Sequence, residues 1–275
     1  MPWHAHLHLH YTHDANGTGA LDRHEGPLRV LQRLYPEGPG ICHHVLVHPP
    51  GGIVGGDVLA LDAQLERGSH ALITTPGATR FYRSAGELSE QLVNARLADG
   101  ARLEWLPMET IAYSACRARN RLRFDLAPAA EMIGWDVLAL GLPAAGQAFE
   151  RGCYQQELEL PGAWLERGRI DAADTRLLDS PLGWAGRRVL ATLWFASGAA
   201  LLPARRDALL DSARGLVARQ DSLVAGATAP HGSVVVLRAL ADKVEPAMQL
   251  LGRVWSAWRG IAWGLAATPP RVWRT

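Results

Sequence analysis

Val58-Leu59-Ala60-Leu61-Asp62-Ala63-Gln64-Leu65 puts Leu59, Leu61, Ala63 and Leu65 on one face and mostly smaller or polar residues on the other. Such period-two alternation marks a half-buried strand. Segments of the same kind end at Leu97, Leu126 and Leu160, after spacings of 32, 29 and 34 residues. Each runs into a short turn: Glu66-Arg67-Gly68-Ser69, Ala98-Asp99-Gly100, Ala127-Pro128-Ala129 and Pro161-Gly162. A second strand then starts near His70, Ala101, Glu131 and Ala163. Turn residues between alternating segments predict hairpins, and the near-constant spacing predicts that the units stack. The expected fold is mainly β, a stacked β-hairpin or irregular β-helix-like single domain over residues 1–275.

Residues 1–200 and 231–241 read as β-rich, with two helices in the last third. Leu209, Leu210, Ala213, Leu216 and Val217 have helical spacing within 203–220. In 245–267, Pro246 sits where a missing donor costs least, and Leu251, Trp255, Trp258, Ala262 and Leu265 form one apolar stripe that Pro269-Pro270 ends. The segment from Ala172 to Gly186 reads as a loop. Such stripes are usually core, but ten tryptophans in 275 residues make Trp255 and Trp258 candidates for a docking surface.

A formal charge of +1 argues against nucleic acid as a partner. Cys42, Cys116 and Cys153 are widely spaced and odd in number, as in a reducing cytoplasm rather than a disulfide framework. No basic, apolar leader opens the chain, and the most apolar late segment is short and interrupted by Arg259, so no membrane is expected and the protein is placed in the cytoplasm.

His48-Pro49-Pro50-Gly51-Gly52-Ile53-Val54-Gly55-Gly56-Asp57 specifies a tightly bent backbone that other groups can approach closely. It is not a Walker loop, because Asp57 and a strand follow where Lys-Ser/Thr and a helix are needed. Four further words surround it in order: His24-Glu25-Gly26-Pro27-Leu28-Arg29-Val30, Tyr35-Pro36-Glu37-Gly38, Thr74 to Ser84, and Leu103 to Thr110. Together they resemble the UreD (UreH) family of urease accessory proteins, with matching order from about residue 3 to beyond Gly152. The resemblance implies a β-rich fold and a non-enzymatic urease maturation factor. Its implied partners are the urease apoprotein, the helical accessory protein UreF and, through it, the GTPase UreG. It further implies transient Ni²⁺ contact, with His48 and Asp57 as candidates beside a purely structural role for both, and no tightly bound cofactor.

Other residues could meet a metal on chemical grounds. His4, His6, His8 and His10 share one face of a strand, about 6.6 Å apart, either as ligands for Ni, Zn or Cu or as a polar edge. Cys42, His44 and His48 share a face but lack a fourth ligand for structural zinc. Glu109 and Asp136 sit among apolar residues, so each needs a partner, an ion or a raised pKa. Arg117, Arg119, Arg121 and Arg123 alternate into a basic stripe, solvated or facing an acidic partner. Hydrolase, zincin and Rossmann motifs are absent from the sequence. The rival reading is a metal-dependent hydrolase or lyase using the N-terminal histidines with Asp57 or Glu109.

Overall fold

Leu65, Leu97 and Leu126 lie side by side at the ends of three neighbouring parallel strands. The repeat of about thirty residues is therefore the length of one coil, and like positions of successive coils stack. The computed structural model describes residues 2–217 and 222–274.

In chain order, β1 (His4–Asp14) and β2 (Gly17–Glu25) pair antiparallel, as do β3 (Arg29–Leu34) and β4 (Cys42–Val47). After the glycine loop come β5 (Val58–Leu65), β6 (His70–Thr74) and β7 (Thr79–Phe81). The next coils supply β8 (Ser89–Leu97), β9 (Arg102–Trp105) and β10 (Thr110–Ala112), then β11 (Cys116–Leu126) and β12 (Glu131–Leu140). They are followed by β13 (Gly152–Leu160), β14 (Trp164–Asp171), α1 (Thr175–Asp179) and β15 (Val189–Ser197). The chain closes with α2 (Pro203–Leu216), β16 (Leu223–His231), β17 (Val234–Ala241) and α3 (Val244–Trp263).

Among the described residues two sheets form, in the orders β14-β13-β11-β8-β5-β1-β2 and β16-β17-β15-β12-β9-β6-β4-β3, the second extended by β10, which pairs with β12 and β7. Three of the four expected hairpins are instead arches. Strands β5, β8 and β11 pair with one another, while β6, β9 and β12 pair with one another in the opposite sheet. Each turn is closed by its own bond, such as Ser69 N to Glu66 O at 3.1 Å, and also bonds to the next turn, as in Gly68 N to Asp99 O at 3.3 Å and Gly100 N to Ala129 O at 3.1 Å. Positive φ at Gly68 and Gly100 makes the sharp corner possible. Of those four turns, the one from Leu160 to Trp164 closes a true antiparallel hairpin.

The inner faces of the two sheets share one core of Leu7, Leu61, Val93, Leu103, Leu122 and their neighbours. The second sheet is buried on both sides. Met132 faces the first sheet, while Ile133, Trp135 and Val137 meet α2 and α3. That explains why β12 reads as a continuous apolar run rather than an alternating one.

Helix α2 begins at Pro203 as expected, and residues 218–220 of the anticipated helix lie outside those described. Helix α3 ends at Gly264, whose left-handed backbone lets its N–H bond back to Gly260 O at 3.0 Å. The anticipated loop at 172–186 contains α1, capped by the Asp174 carboxylate accepting from Leu177 N at 2.9 Å. Strand β16 was not anticipated: Gly226 and Pro230 speak against a strand. It lies at the sheet edge with a register shift between Thr228 and His231, where a missing donor is tolerated.

Candidate functional site

The glycine loop is stapled to its surroundings from both ends. Ile53 N donates to Arg80 O at 2.7 Å, and Tyr82 N donates to Ile53 O at 2.9 Å, so the loop lies against β7. At the far end the buried Asp57 carboxylate accepts from Trp3 N at 2.6 Å and from Val54 N at 3.0 Å. Glycine is required here. A Cβ on Gly52 would stand 2.0 Å from the Tyr82 ring, and Gly51 has φ of +80°.

Behind the loop, a cavity of about 330 Å³ opens between the two sheets. The loop and Thr75–Arg80 form its outer part; Leu59, Leu61, Val93 and Trp105 wall it, and Gln91, Thr110 and Asp136 supply inner polar groups. One water occupies on the order of 30 Å³, so the space suits several waters or a hydrated ion.

His48 is the cavity's imidazole. Its Nε2 is buried and has no hydrogen-bond partner. Burial pushes its pKa below the usual imidazole range, with the Asp57 charge pulling the other way. A neutral ring with an unused nitrogen is what a metal-ligating histidine requires.

Asp136 is the cavity's carboxyl group, 4% exposed. It accepts from Asn120 Nδ2 at 3.1 Å and Gln156 Nε2 at 2.6 Å, while Gln91 Nε2 donates to Asn120 Oδ1 at 3.1 Å. Gln91, Asn120 and Gln156 are direct neighbours across β8, β11 and β13, so three amides form one row facing the acid. Burial, and then the charge of Glu166, raise the Asp136 pKa to about 7, against the lowering effect of the two amides.

This amide row went unpredicted. Its signal was present: Asn120 occupies an inward position between Ala118 and Leu122, in phase with the apolar residues.

Of the eight candidate ligands, the cavity gathers His48 and Asp136. Asp57 is next to it but both oxygens are engaged by backbone donors. Glu109 precedes the cavity-lining Thr110, and its Oε2 is buried without a partner. The N-terminal histidines lie on the outer face of the first sheet, where His6 and His8 meet Asp62 and His10 pairs with Glu66 at 3.2 Å. Among the described residues, Asp62 rather than Asp57 or Glu109 completes that grouping, so the constellation expected for a hydrolase or lyase does not assemble.

Cys42, His44 and His48 do not converge either. Tyr11 Oη and His44 Nδ1 are hydrogen-bonded at 2.7 Å in the interior, and His43 bonds to Glu37 at 2.8 Å.

The arginine stripe forms on the outer face of β11, but its charge is answered within the sheet. Arg119 meets Glu90 at 3.0 Å, Arg121 meets Glu157 at 3.2 Å and Arg123 meets Glu159 at 2.7 Å. Arg117 donates to Gly86 O. Trp255 and Trp258, anticipated as docking groups, are instead core residues at 1% and 0% exposure. Their indoles donate to Glu104 Oε2 at 2.6 Å and to Leu209 O at 2.9 Å, which satisfies the polar end inside the protein.

The family profile described as UreD urease accessory protein matches residues 4–274. The chain belongs to the UreD family. It is similar over its whole length to complete proteins named urease accessory protein UreD: 67% identical to that of Leptothrix cholodnii, 62% to that of Variovorax paradoxus and 60% to that of Methylibium petroleiphilum. UreD membership supports a role in urease maturation, as an accessory protein. No helix among the described residues is long and apolar enough to cross a membrane.

Proposed function

We propose that this UreD-family chain is a non-enzymatic chaperone that binds urease apoprotein and helps deliver Ni²⁺ to its active site in the cytoplasm. In this reading it acts with the helical accessory protein UreF and, through that protein, with the GTPase UreG. The observation that carries the reading is the cavity. It offers a neutral, unpartnered imidazole at His48 and a buried carboxyl group at Asp136, separated by largely apolar walls.

Nickel here is cargo, and cargo must leave. With association on the order of 10⁷ M⁻¹s⁻¹, a nanomolar site empties about once per hundred seconds and a micromolar site about ten times per second. Two separated protein groups, with water completing the coordination shell, fit the faster regime better than a closed cage does. The high pKa of Asp136 couples entry to proton release, because the carboxyl group must ionise to hold the ion.

The test is co-expression of urease subunits and accessory proteins with and without this chain, scoring complex formation, urease nickel content and activity. Nickel loading should fall without the chain. It should also fall with His48→Gln and Asp136→Asn combined, while apoprotein binding persists. Urease that loads fully in cells lacking the chain defeats the proposal.

A further inference from the structure

We propose that His6, His8 and Asp62 form a divalent transition-metal site on the outer face of the first sheet, separate from the cavity. One ligand atom from each residue lies within 4.8 Å of the other two. His6 Nε2 is 2.5 Å from Asp62 Oδ2, and the His6 and His8 rings are 3.8 Å apart between centroids. Among the described residues, His8 has that ring contact and no side-chain hydrogen bond. The three groups therefore point at one small volume.

The scaffold beneath them is rigid. Strand β1 is paired with β2 on one side and β5 on the other, and Ala5, Leu7, Leu9 and Tyr11 are buried on its inner face. Asn94, Asp62 and His8 are successive neighbours across β8, β5 and β1. Asn94 Nδ2 donates to Asp62 Oδ1 at 3.1 Å, which leaves Oδ2 directed toward His6. A hydrogen bond that orients a ligating carboxylate is a usual feature of metal sites.

Bond lengths of 2.0–2.2 Å at tetrahedral angles separate ligand atoms by about 3.4 Å. Binding therefore opens the His6–Asp62 contact by about 1 Å and draws His8 inward. His8 is exposed and the His6 and Asp62 side chains are partly so, at 37% and 44%, so ordinary rotamer motion suffices. Two imidazoles and one carboxylate select Zn²⁺, Ni²⁺ or Cu²⁺ over Mg²⁺ or Ca²⁺. Arg23 is the cross-strand neighbour of His8 on β2, and its charge weakens the hold on a cation. Water fills the remaining positions, so the ion is exchangeable.

The inner face of β5 lines the cavity through Leu59 and Leu61, whereas Asp62 lies on the outer face of the same strand. The sheet separates the two places. The inference goes beyond the maturation reading and does not rest on it, because its readout is metal binding by the isolated chain.

The experiment is calorimetric titration of the full-length protein with NiCl₂ and with ZnCl₂, comparing wild type with H6Q/H8Q, D62N and H48Q. Wild type should bind one equivalent that H6Q/H8Q lacks. D62N should weaken that equivalent at least tenfold, and H48Q should keep it. Zn²⁺ should also shield His6 and His8 from carbethoxylation, read by peptide mass spectrometry. Circular dichroism matching wild type would confirm folding of these surface variants. Unchanged stoichiometry in folded H6Q/H8Q, or no shielding by Zn²⁺, overturns the proposal.

Discussion

Arg259 on α3 and Glu104 on β9 stand 3.1 Å apart with both side chains wholly buried. The same guanidinium forks onto Glu37, with Nη1 to Oε2 at 2.9 Å and Nη2 to Oε1 at 3.1 Å. Glu37 also bonds to His43 at 2.8 Å, while Glu104 bonds to His70 at 2.8 Å and to the Trp255 indole at 2.6 Å. One arginine thus ties the C-terminal helix to two points of the second sheet and its approach. Although burial opposes it, hydrogen bonds from His43 and Arg259 hold the Glu37 carboxyl below its usual range.

Removing that cation leaves the buried Glu104 with only His70 and Trp255, and the largely buried Glu37 with only His43. Breaking a buried ion pair by deleting one partner costs about 3–5 kcal/mol. Arg259→Met should therefore lower the urea midpoint at pH 7 by a corresponding amount, and adding Glu37→Gln should recover part of the loss. A midpoint within error of wild type would mean that the cluster carries no net weight.

Asp136 gives the fold a dependence on pH whose sign is fixed by its raised pKa. Between the ordinary value of 3.8 and the folded value of about 7, the folded chain keeps a proton that the unfolded chain has released. The stabilisation from this group is therefore fully present below about pH 4 and is lost as pH rises through 7. Its slope is at most about 1.4 kcal/mol per pH unit. Asp136→Asn abolishes the titration but sets one amide against two amide donors, so its absolute stability should be lower. The informative quantity is the slope. Urea stability between pH 5 and 7.5 should fall less steeply in the variant than in wild type, and parallel slopes would show that Asp136 does not hold its proton.

The thirty-residue rhythm was legible because each coil repeats the same inward alternation, from Leu59-Leu61-Ala63-Leu65 onward. Whether a turn returned to its own strand or crossed to another sheet was not legible. Gly68 and Gly100 supply a corner in either case, and only the partner across the gap decides. Asp136 could be singled out as a carboxylate in apolar company, and His48 as one end of the glycine loop that carries the family resemblance. That they share one cavity depends on Asp136 in β12 facing an amide row drawn from β8, β11 and β13, and no local pattern encodes such a meeting. The histidines could be read as one strand face, but Asp62, 54 residues after His8, joins them only through the pairing of β1 with β5. Trp255 and Trp258 were ambiguous because a buried stripe and a docking stripe have the same periodicity. The buried acceptors Glu104 Oε2 and Leu209 O resolve the choice.

The cavity's outer wall depends on two glycines for different physical reasons, and substitution can separate them. At Gly52 a Cβ would meet the Tyr82 ring at 2.0 Å, and the loop cannot withdraw because Ile53 is bonded on both sides to β7 and Tyr82. Gly52→Ala should cost about 1–3 kcal/mol through overpacking. At Gly51 a Cβ meets open space, but φ of +80° strains any L side chain by about 1–2 kcal/mol. The two losses should respond differently to trimming the ring. In a Tyr82→Ala background, Gly52→Ala should become nearly neutral, whereas Gly51→Ala should cost as much as before. Urea melts of the six proteins, wild type and Tyr82→Ala each with and without the two glycine changes, give both coupling energies. A Gly52→Ala penalty that survives removal of the ring would mean that close approach is not what this position requires.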